Sequence, residues 1–128
     1  MTLHLTDLPS PLRARAEESI ARLRSAVAEF KDVCYANSLG AEAVVLTDLI
    51  WEAVPDIEIF SIDTGRLYPQ SHDLIDRLQS RYGRSMRIYY PEAPALEQWV
   101  DLNGINGFRD GPDLRRQCCA IRKVQPFR

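Results

Sequence analysis

The sequence predicts an α/β fold, in which a parallel sheet is flanked by helices. Three short apolar segments alternate with longer segments whose apolar residues recur at helical spacing. Alternation of this kind is typical of a parallel sheet wrapped by helices on both faces. Because 128 residues are enough for one domain or part of one, we predict a single domain over residues 1–128, with a helical region over residues 1–31.

The first part of the chain predicts a helix, a strand, a loop and a second helix. Ser10-Pro11 favours a helix start, since Pro is accepted in the first helical turn. A short apolar strand is predicted over residues 32–36, a loop of small residues over 37–40 and a helix over 42–53. The apolar stripe of the first helix consists of Leu12, Ala16, Ile20, Leu23 and Val27.

The unit of strand, turn and helix then repeats. Gly83 is predicted to cap the helix of this second unit. Residues 104–112 are rich in turn-forming residues, so they predict an irregular loop that folds over a site. The remaining predicted elements are a strand over residues 57–62, a turn over 63–66, a helix over 69–82, a strand over 86–90 and a helix over 95–103.

The composition indicates an ordinary soluble globular protein. Apolar residues make up 45% and charged residues 27% of the chain, and the formal charge of -2 gives no reason to expect a nucleic-acid partner. The first thirty residues lack the apolar core of a signal peptide, and no stretch approaches the roughly 20 apolar residues that span a membrane. We therefore predict a cytoplasmic protein without a membrane partner, whose three cysteines are free thiols or metal ligands.

The loop after the first predicted strand is a candidate phosphate site. Backbone N–H groups and the positive end of the following helix can face an anion there. The alternative is purely structural, since Ser and Gly favour any sharp turn from strand to helix. The candidate residues are Ser38, Leu39, Gly40, Ala41 and Glu42.

The turn after the second predicted strand lies at the same edge of the sheet. Open parallel sheets bind ligands beyond the carboxyl ends of their strands, so this turn is expected beside Ser38. Its polar side chains could contact a nucleoside while its arginine neutralises phosphates, or they could only cap a helix and face solvent. The candidate residues are Asp63, Thr64, Gly65 and Arg66.

The tandem Cys118-Cys119 lies between Arg115-Arg116 and Arg122-Lys123. Neighbouring cations favour the thiolate, which binds metals and attacks electrophiles. The alternative is that both cysteines are small buried residues and that the cations are solvated. Zinc is disfavoured because its usual spacing is Cys-x2-Cys, and a cubane iron–sulfur cluster needs four thiolates.

The remaining cysteine, the histidines and the tryptophans predict no site. Cys34 is expected to be buried in its strand as core filler. His4 and His72 are solitary, without an obvious metal or catalytic partner, so both are expected to be solvated. Trp51 and Trp99 are expected to anchor helix packing.

Three motifs together resemble one enzyme family. They are NSLGAE at residues 37–42, IDTGR at 62–66 and CCAIRKVQP at 118–126. In this order and spacing they resemble bacterial assimilatory adenylylsulfate (APS) reductase, of the PAPS/APS reductase family, over residues 34–128. The tandem cysteine with its trailing Arg-Lys is the mark of the iron–sulfur members, whereas the Ser-x-Gly-Ala-Glu loop also occurs in phosphoadenylylsulfate (PAPS) reductases. The resemblance implies a fold like that of the adenine-nucleotide α-hydrolases.

The resemblance also implies an activity, which is the reduction of APS to sulfite and AMP. A cysteine attacks the sulfate sulfur, an enzyme thiosulfonate forms, and thioredoxin or glutaredoxin releases sulfite. By the same resemblance a 4Fe-4S cluster takes half its ligands from Cys118 and Cys119. The implied substrate contacts are Ser38, Gly40 and Glu42 at the phosphosulfate, Asp63 and Thr64 near the nucleoside, and Arg122 and Lys123 beside sulfate and cluster.

The chain departs from the family pattern in two places. Ala43 stands where the family normally carries Asp. The second cysteine pair and the nucleophilic cysteine are expected beyond Arg128, so we expect a truncated chain that is inactive alone and does not hold a cluster stably. Exposed apolar surface would then favour self-association into a homo-oligomer. The alternatives are a PAPS reductase and a non-catalytic adenine-nucleotide-binding module.

Overall fold

The structure, a computed structural model, describes residues 4–128 and confirms the predicted α/β class. The strands are β1 (Cys34–Ala36), β2 (Glu58–Ile62) and β3 (Arg87–Tyr89). The helices are α1 (Ser10–Glu29), α2 (Ala41–Ala53), α3 (Pro69–Tyr82), α4 (Ala93–Asn103), α5 (Pro112–Cys119) and α6 (Gln125–Phe127). Short 3-10 turns cover Leu5–Asp7 and Gly107–Arg109, and a π-helical turn covers Ala120–Val124.

The sheet is parallel, with strand order β1-β2-β3. Tyr35 is paired with Ile59, and Ser61 with Ile88. Because α2 and α3 are the crossovers between neighbouring strands, all three strands end at one edge, as predicted. The loops that follow β1 and β2 therefore lie side by side.

One apolar cluster joins α1, α2 and α3 to the sheet. Ile50 is fully buried at its centre, and burial of a side chain of this size contributes about 1.5–3 kcal/mol. Trp51 is also buried in it, which confirms the predicted packing role. The buried members are Ile20, Leu49, Ile50, Trp51, Val54, Ile57, Ile59, Ile75, Leu78 and Met86.

The prediction that Cys34 is buried is wrong. Its side chain is exposed, whereas that of Tyr35 packs against the apolar cluster. Successive side chains of a strand point to opposite faces, so Cys34 lies on the sheet face that α1, α2 and α3 leave open. On that face Phe60 contacts the rings of Tyr89 and Phe127.

The ends of the helices follow local sequence signals. Gly83 ends α3 with φ of 61°, a left-handed conformation that glycine accepts at low cost. The predicted loop after α4 contains a 3-10 turn at Gly107–Arg109. A Cβ atom at Gly107 would lie 2.8 Å from Asn103 Cβ and 3.2 Å from the ring of Trp99, so this turn packs directly on α4. Among residues 4–128, no helix has the length and apolar character that crossing a bilayer requires.

Candidate functional site: the loops after β1 and β2

Asn37 anchors the loop between β1 and α2. Its backbone N–H donates to Phe60 O over 2.7 Å, and its Nδ2 donates to Thr47 Oγ1 over 2.6 Å. Ser61 Oγ donates to Asn37 O over 2.8 Å. Asn37, Thr47 and Ser61 are all buried, so these bonds satisfy polar groups that water cannot reach. Sequence reasoning gave no role to Thr47 or Ser61, since their contacts arise only on folding.

The sharp turn of this loop falls on Leu39. Its φ is 65°, an uncommon value for a residue with a branched side chain, whereas Gly40 has an ordinary φ of -76°. Leu39 N donates to Asn37 Oδ1 over 2.7 Å, which is the hydrogen bond of an Asx turn. The side chain of Asn37 therefore holds Leu39 in its left-handed conformation.

The first turn of α2 follows directly and has no side-chain cap. The N–H groups of a first helical turn lack intrahelical acceptors and favour an anion. Glu42 lies in this turn, and its carboxylate is close enough to Gly40 that a Cβ there would lie 3.4 Å from an oxygen. Burial, together with the charge of Glu42, raises the pKa of Tyr35. Ala43 is buried, so alanine avoids a buried carboxylate at this position.

The turn after β2 is organised by Asp63. Its Oδ1 accepts a hydrogen bond from Gly65 N over 2.8 Å, and its Oδ2 lies 2.8 Å from Nε2 of His72. His72 therefore has an acidic neighbour, while its side chain is 54% exposed, as expected for a solvated histidine. The first turns of α3 bring this histidine back over the end of β2, a tertiary relation that sequence spacing does not reveal.

Arg122 connects the cysteine segment to this turn. The π-helical turn directs its side chain inward, and Nη1 donates to Thr64 O over 2.6 Å. Arg122 is only 6% exposed, and its Nε has no hydrogen-bond partner within residues 4–128. In the same part of the chain no carboxylate forms an ion pair with it. A buried guanidinium without a counter-ion makes this position attractive to an anion.

A cavity of about 330 Å³ lies where these segments meet. A volume of this size is at the lower end of the range of small-molecule sites. Candidate residues from three separate segments line it, together with apolar side chains from β2 and the residues after it. Its walls include Ser38, Leu39, Phe60, Ile62, Thr64 and Lys123.

Arg66 does not face this cavity. Its Nη1 donates to Ile105 O over 3.3 Å and its Nη2 to Asn106 Oδ1 over 3.1 Å. Its guanidinium carbon also lies 4.7 Å from the centre of the Phe108 ring. The predicted phosphate-neutralising arginine is thus held by the segment between α4 and α5.

The cysteine pair forms the end of α5. Cys118 is buried, Cys119 is half-buried, and both are free thiols. Trp99 Nε1 donates to Gln117 Oε1 over 3.2 Å, which fixes this end of α5 to the buried Trp99 of α4. Arg116 is paired with Asp113.

Two neighbouring thiols are half of the ligand set of a cubane cluster. Within the part of the chain that the structure describes, no group of three or more His, Cys, Asp or Glu residues could hold a metal ion. Cys34 lies on the open face of the sheet and does not join the pair. Within residues 4–128 the structure therefore brings no third potential ligand to Cys118 and Cys119.

A larger groove of about 1280 Å³ opens between α1, α2 and α3. Its walls are mostly apolar, with charged side chains at the rim, and none of the candidate site residues lines it. We place the site at the smaller cavity because Ser38, Thr64 and Lys123, from three separate candidate segments, line it together.

Comparisons with known proteins identify the family of the chain. The chain is 37% identical over 126 residues to a protein of Burkholderia cepacia named adenosine 5'-phosphosulfate reductase, covering 98% of this chain and 50% of that one. It is 35% identical over 117 residues to a protein of the same name from Allochromatium vinosum, covering 91% and 46%. The chain thus spans about half the length of the curated relatives it matches.

A solved structure has the same fold. It is the crystal structure of a phosphoadenylyl-sulfate (PAPS) reductase from Candida auris in a phosphate complex, with a TM-score of 0.69 and 25% identity. The alignment covers 85% of this chain and 52% of that one. The family resemblance seen in the three motifs is confirmed, because residues 32–128 match the phosphoadenosine phosphosulfate reductase domain, and the chain belongs to that family.

Proposed function

We propose that this chain is the nucleotide-binding half of an assimilatory APS reductase, which reduces adenylylsulfate to sulfite and AMP. The observation that carries the proposal is the cavity in which the Ser38 loop, Thr64 and Lys123 meet. Behind Thr64 lies Arg122, which has no counter-ion within residues 4–128. The relatives named adenosine 5'-phosphosulfate reductase support the same substrate class.

The substrate is oriented by its anionic end. The phosphosulfate lies against the loop from Ser38 to Glu42, where the N–H groups at the start of α2 stabilise negative charge. Lys123 and Arg122 supply the positive charge, whereas Arg66 is held elsewhere. Asp63 and Thr64 shape the side of the site that receives the nucleoside.

The reaction transfers a sulfonyl group to a thiolate. The thiolate sulfur forms a bond to the sulfate sulfur, the bond from that sulfur to the phosphate oxygen breaks, and AMP leaves with the electron pair. A thioredoxin dithiol then reduces the enzyme thiosulfonate, releasing sulfite and leaving thioredoxin as a disulfide. Cations at the site stabilise the charge on the departing phosphate.

The attacking thiolate comes from the part of the full protein that lies outside this chain. Cys34 is on the open sheet face, and Cys118 and Cys119 are proposed below as cluster ligands. The relatives are about twice as long as the chain, which leaves room for a nucleophile and for further ligands. Thioredoxin as reductant is part of the same proposal, because release of sulfite from the thiosulfonate needs a dithiol. A cytoplasmic location is proposed with it, since a reducing compartment keeps thiols free.

The cysteine pair is proposed to supply two of the four thiolates of a 4Fe-4S cluster. When bound, such a cluster would add its own charge near the Arg122-Lys123 cations. The sulfur transfer itself needs a thiolate and a bound anion. The test is anaerobic reconstitution of the full-length protein, with iron content as the readout. Cys118→Ser and Cys119→Ser should lose bound iron and Cys34→Ser should keep it, and equal iron in all three would contradict the assignment.

Calorimetry with AMP, adenosine and 3'-phosphoadenosine 5'-phosphate tests the nucleotide site in this chain. AMP should bind, Lys123→Ala should weaken AMP at least tenfold, and Arg22→Ala on α1 is the matched charge control. Tighter binding of the 3'-phosphorylated nucleotide would favour the PAPS alternative. Absence of AMP binding, or equal affinity in the Lys123 variant, would refute the proposed site.

A further inference from the structure

Arg66 joins the turn after β2 to the segment between α4 and α5. Its two Nη atoms donate to Ile105 O and Asn106 Oδ1, and its guanidinium lies over the ring of Phe108. These contacts span 39 and 40 residues of sequence and all fall on one short segment. Planar stacking together with two directed hydrogen bonds is an arrangement that arginine makes and lysine does not.

This segment leads directly into the cysteine helix. Gly107 is buried against the ring of Trp99, and the indole of Trp99 donates to Gln117 of α5. Arg115 N donates to Gly111 O at the start of α5. A continuous set of contacts therefore runs from Arg66 to the residue before Cys118.

The same contacts make Arg66 a poor phosphate ligand. Both of its Nη atoms already donate to the segment, and it is absent from the cavity wall that includes Lys123. A phosphate contact would require Arg66 to leave these partners.

We propose that Arg66 is a positioning residue that fastens the segment Ile105–Phe108 to the turn after β2, and so sets the place of the cysteine pair beside the nucleotide cavity. The identity of the nucleotide rests on the function proposed above, whereas the fastening does not. Two measurements distinguish the positioning role of Arg66 from the proposed nucleotide binding.

The first measurement is the rate at which iodoacetamide alkylates each cysteine, followed by mass spectrometry of the whole chain. Arg66→Ala should speed alkylation of Cys118 at least fivefold, and Phe108→Leu should speed it less. The exposed Cys34 is an internal reference whose rate should stay constant. This readout needs no nucleotide, so it stands even if the proposed function fails.

The matched control is Arg84→Ala, which removes another exposed arginine whose Nη2 donates to a backbone carbonyl, that of Pro55. The alkylation rates of the two variants are compared at denaturant concentrations chosen so that both have the same unfolding free energy. If the control then exposes Cys118 as fast as Arg66→Ala does, Arg66 has only a general stabilising role and the proposal is overturned.

The second measurement compares AMP with adenosine. If Arg66 positions the site, Arg66→Ala and Phe108→Leu should weaken both ligands by the same factor, and Arg66→Lys should not rescue binding. If Arg66 contacts phosphate, only AMP should weaken, Phe108→Leu should bind normally and Arg66→Lys should retain affinity. The second pattern, or wild-type behaviour of Arg66→Lys, overturns the proposal.

Discussion

Arg122 donates a hydrogen bond of 2.6 Å to the backbone carbonyl of Thr64, 58 residues earlier in the chain. The bond is buried, and it fixes the π-helical turn that follows the cysteine pair against the turn that follows β2. A π-turn inside a helix is uncommon and is often found at functional sites. The two halves of the candidate site are thereby held as one unit.

Replacing Arg122 with Met should separate binding from stability. The variant leaves Thr64 O without a donor, which costs about 1–3 kcal/mol, but it also removes a buried charge that has no counter-ion within residues 4–128. We expect the unfolding free energy to fall by only about 1 kcal/mol while AMP affinity falls tenfold or more. Urea unfolding and calorimetry measure the two quantities, and an unchanged affinity would contradict the anion-binding role.

Asn37 should be more important for stability than its partner Thr47. Asn37→Ala leaves Leu39 N without its acceptor and removes one of the two partners of Thr47 Oγ1, which still donates to Ala43 O. Thr47→Val leaves Asn37 Nδ2 unpaired in this network. Buried unsatisfied groups cost about 1–3 kcal/mol each. We expect a loss of about 3 kcal/mol for Asn37→Ala and about half of that for Thr47→Val, measured by urea unfolding. The reverse order would show that the loop is not anchored through Asn37.

Leu39 gives a direct test of backbone strain. Its φ of 65° costs about 1–2 kcal/mol for a residue with a Cβ atom. Leu39→Gly relieves this strain but loses apolar contact with the core, so the two effects should cancel to within about 1 kcal/mol. Leu39→Val keeps an apolar side chain but is β-branched, which is worse at positive φ, and should lose about 2 kcal/mol. Thermal unfolding of the pair measures the difference, and equal stability would contradict the left-handed conformation.

The Tyr82–Asp48 hydrogen bond predicts a loss of stability in alkali. Burial, and then the hydrogen bond and charge of Asp48, raise the pKa of Tyr82 from 10.0 to about 12. The folded state therefore holds the phenol proton of Tyr82 more tightly than the unfolded state does, which adds to the unfolding free energy. This stabilisation is fully present below pH 10. It is lost as the pH rises from 10 to about 12, by on the order of 1 kcal/mol for a ring that is partly open to water.

Tyr82→Phe is the variant that tests this dependence. The difference in unfolding free energy between wild type and variant should narrow between pH 10 and 12. Spectrophotometric titration should show that the phenol with the raised pKa is missing from Tyr82→Phe. Asp48→Asn keeps a hydrogen-bond acceptor and removes the charge, so it should lower the pKa of Tyr82. A constant difference across this pH range would show that the pair does not persist in solution.

Local sequence signals predicted the fold best where both ends of an element are marked. Helix α3 runs from Pro69 to Tyr82 as predicted, because Pro favours its start and Gly83 ends it. Strand β1 is two residues shorter than predicted and exposes Cys34. A short apolar run cannot show which of its side chains the helices will cover, since that depends on the arrangement of α1, α2 and α3.

The place of the candidate site followed from topology, whereas its internal contacts did not. The carboxyl ends of parallel strands share one edge, and this brings Ser38 and Thr64 to one cavity. The Asp63–His72 contact joins the turn after β2 to α3 across nine positions, and the stacking of Arg66 on Phe108 joins two loops far apart in sequence. No local pattern encodes such pairs. Asn37 gave the one available signal, an Asx residue directly after a strand.

Gly65→Ala should show how closely Arg122 approaches the turn after β2. Gly65 has φ of 77°, and a Cβ atom there would lie 3.1 Å from Arg122 Nη1, so the variant combines backbone strain with displacement of the guanidinium. Gly83→Ala is the matched control, since its φ is 61° and no atom lies within 4 Å of the added Cβ. Both variants should lose about 1–2 kcal/mol from strain, and only Gly65→Ala should lose AMP affinity, by about tenfold. Equal AMP affinity in the two variants would show that Arg122 can shift without consequence, and that the close contact at Gly65 does not support the anion site.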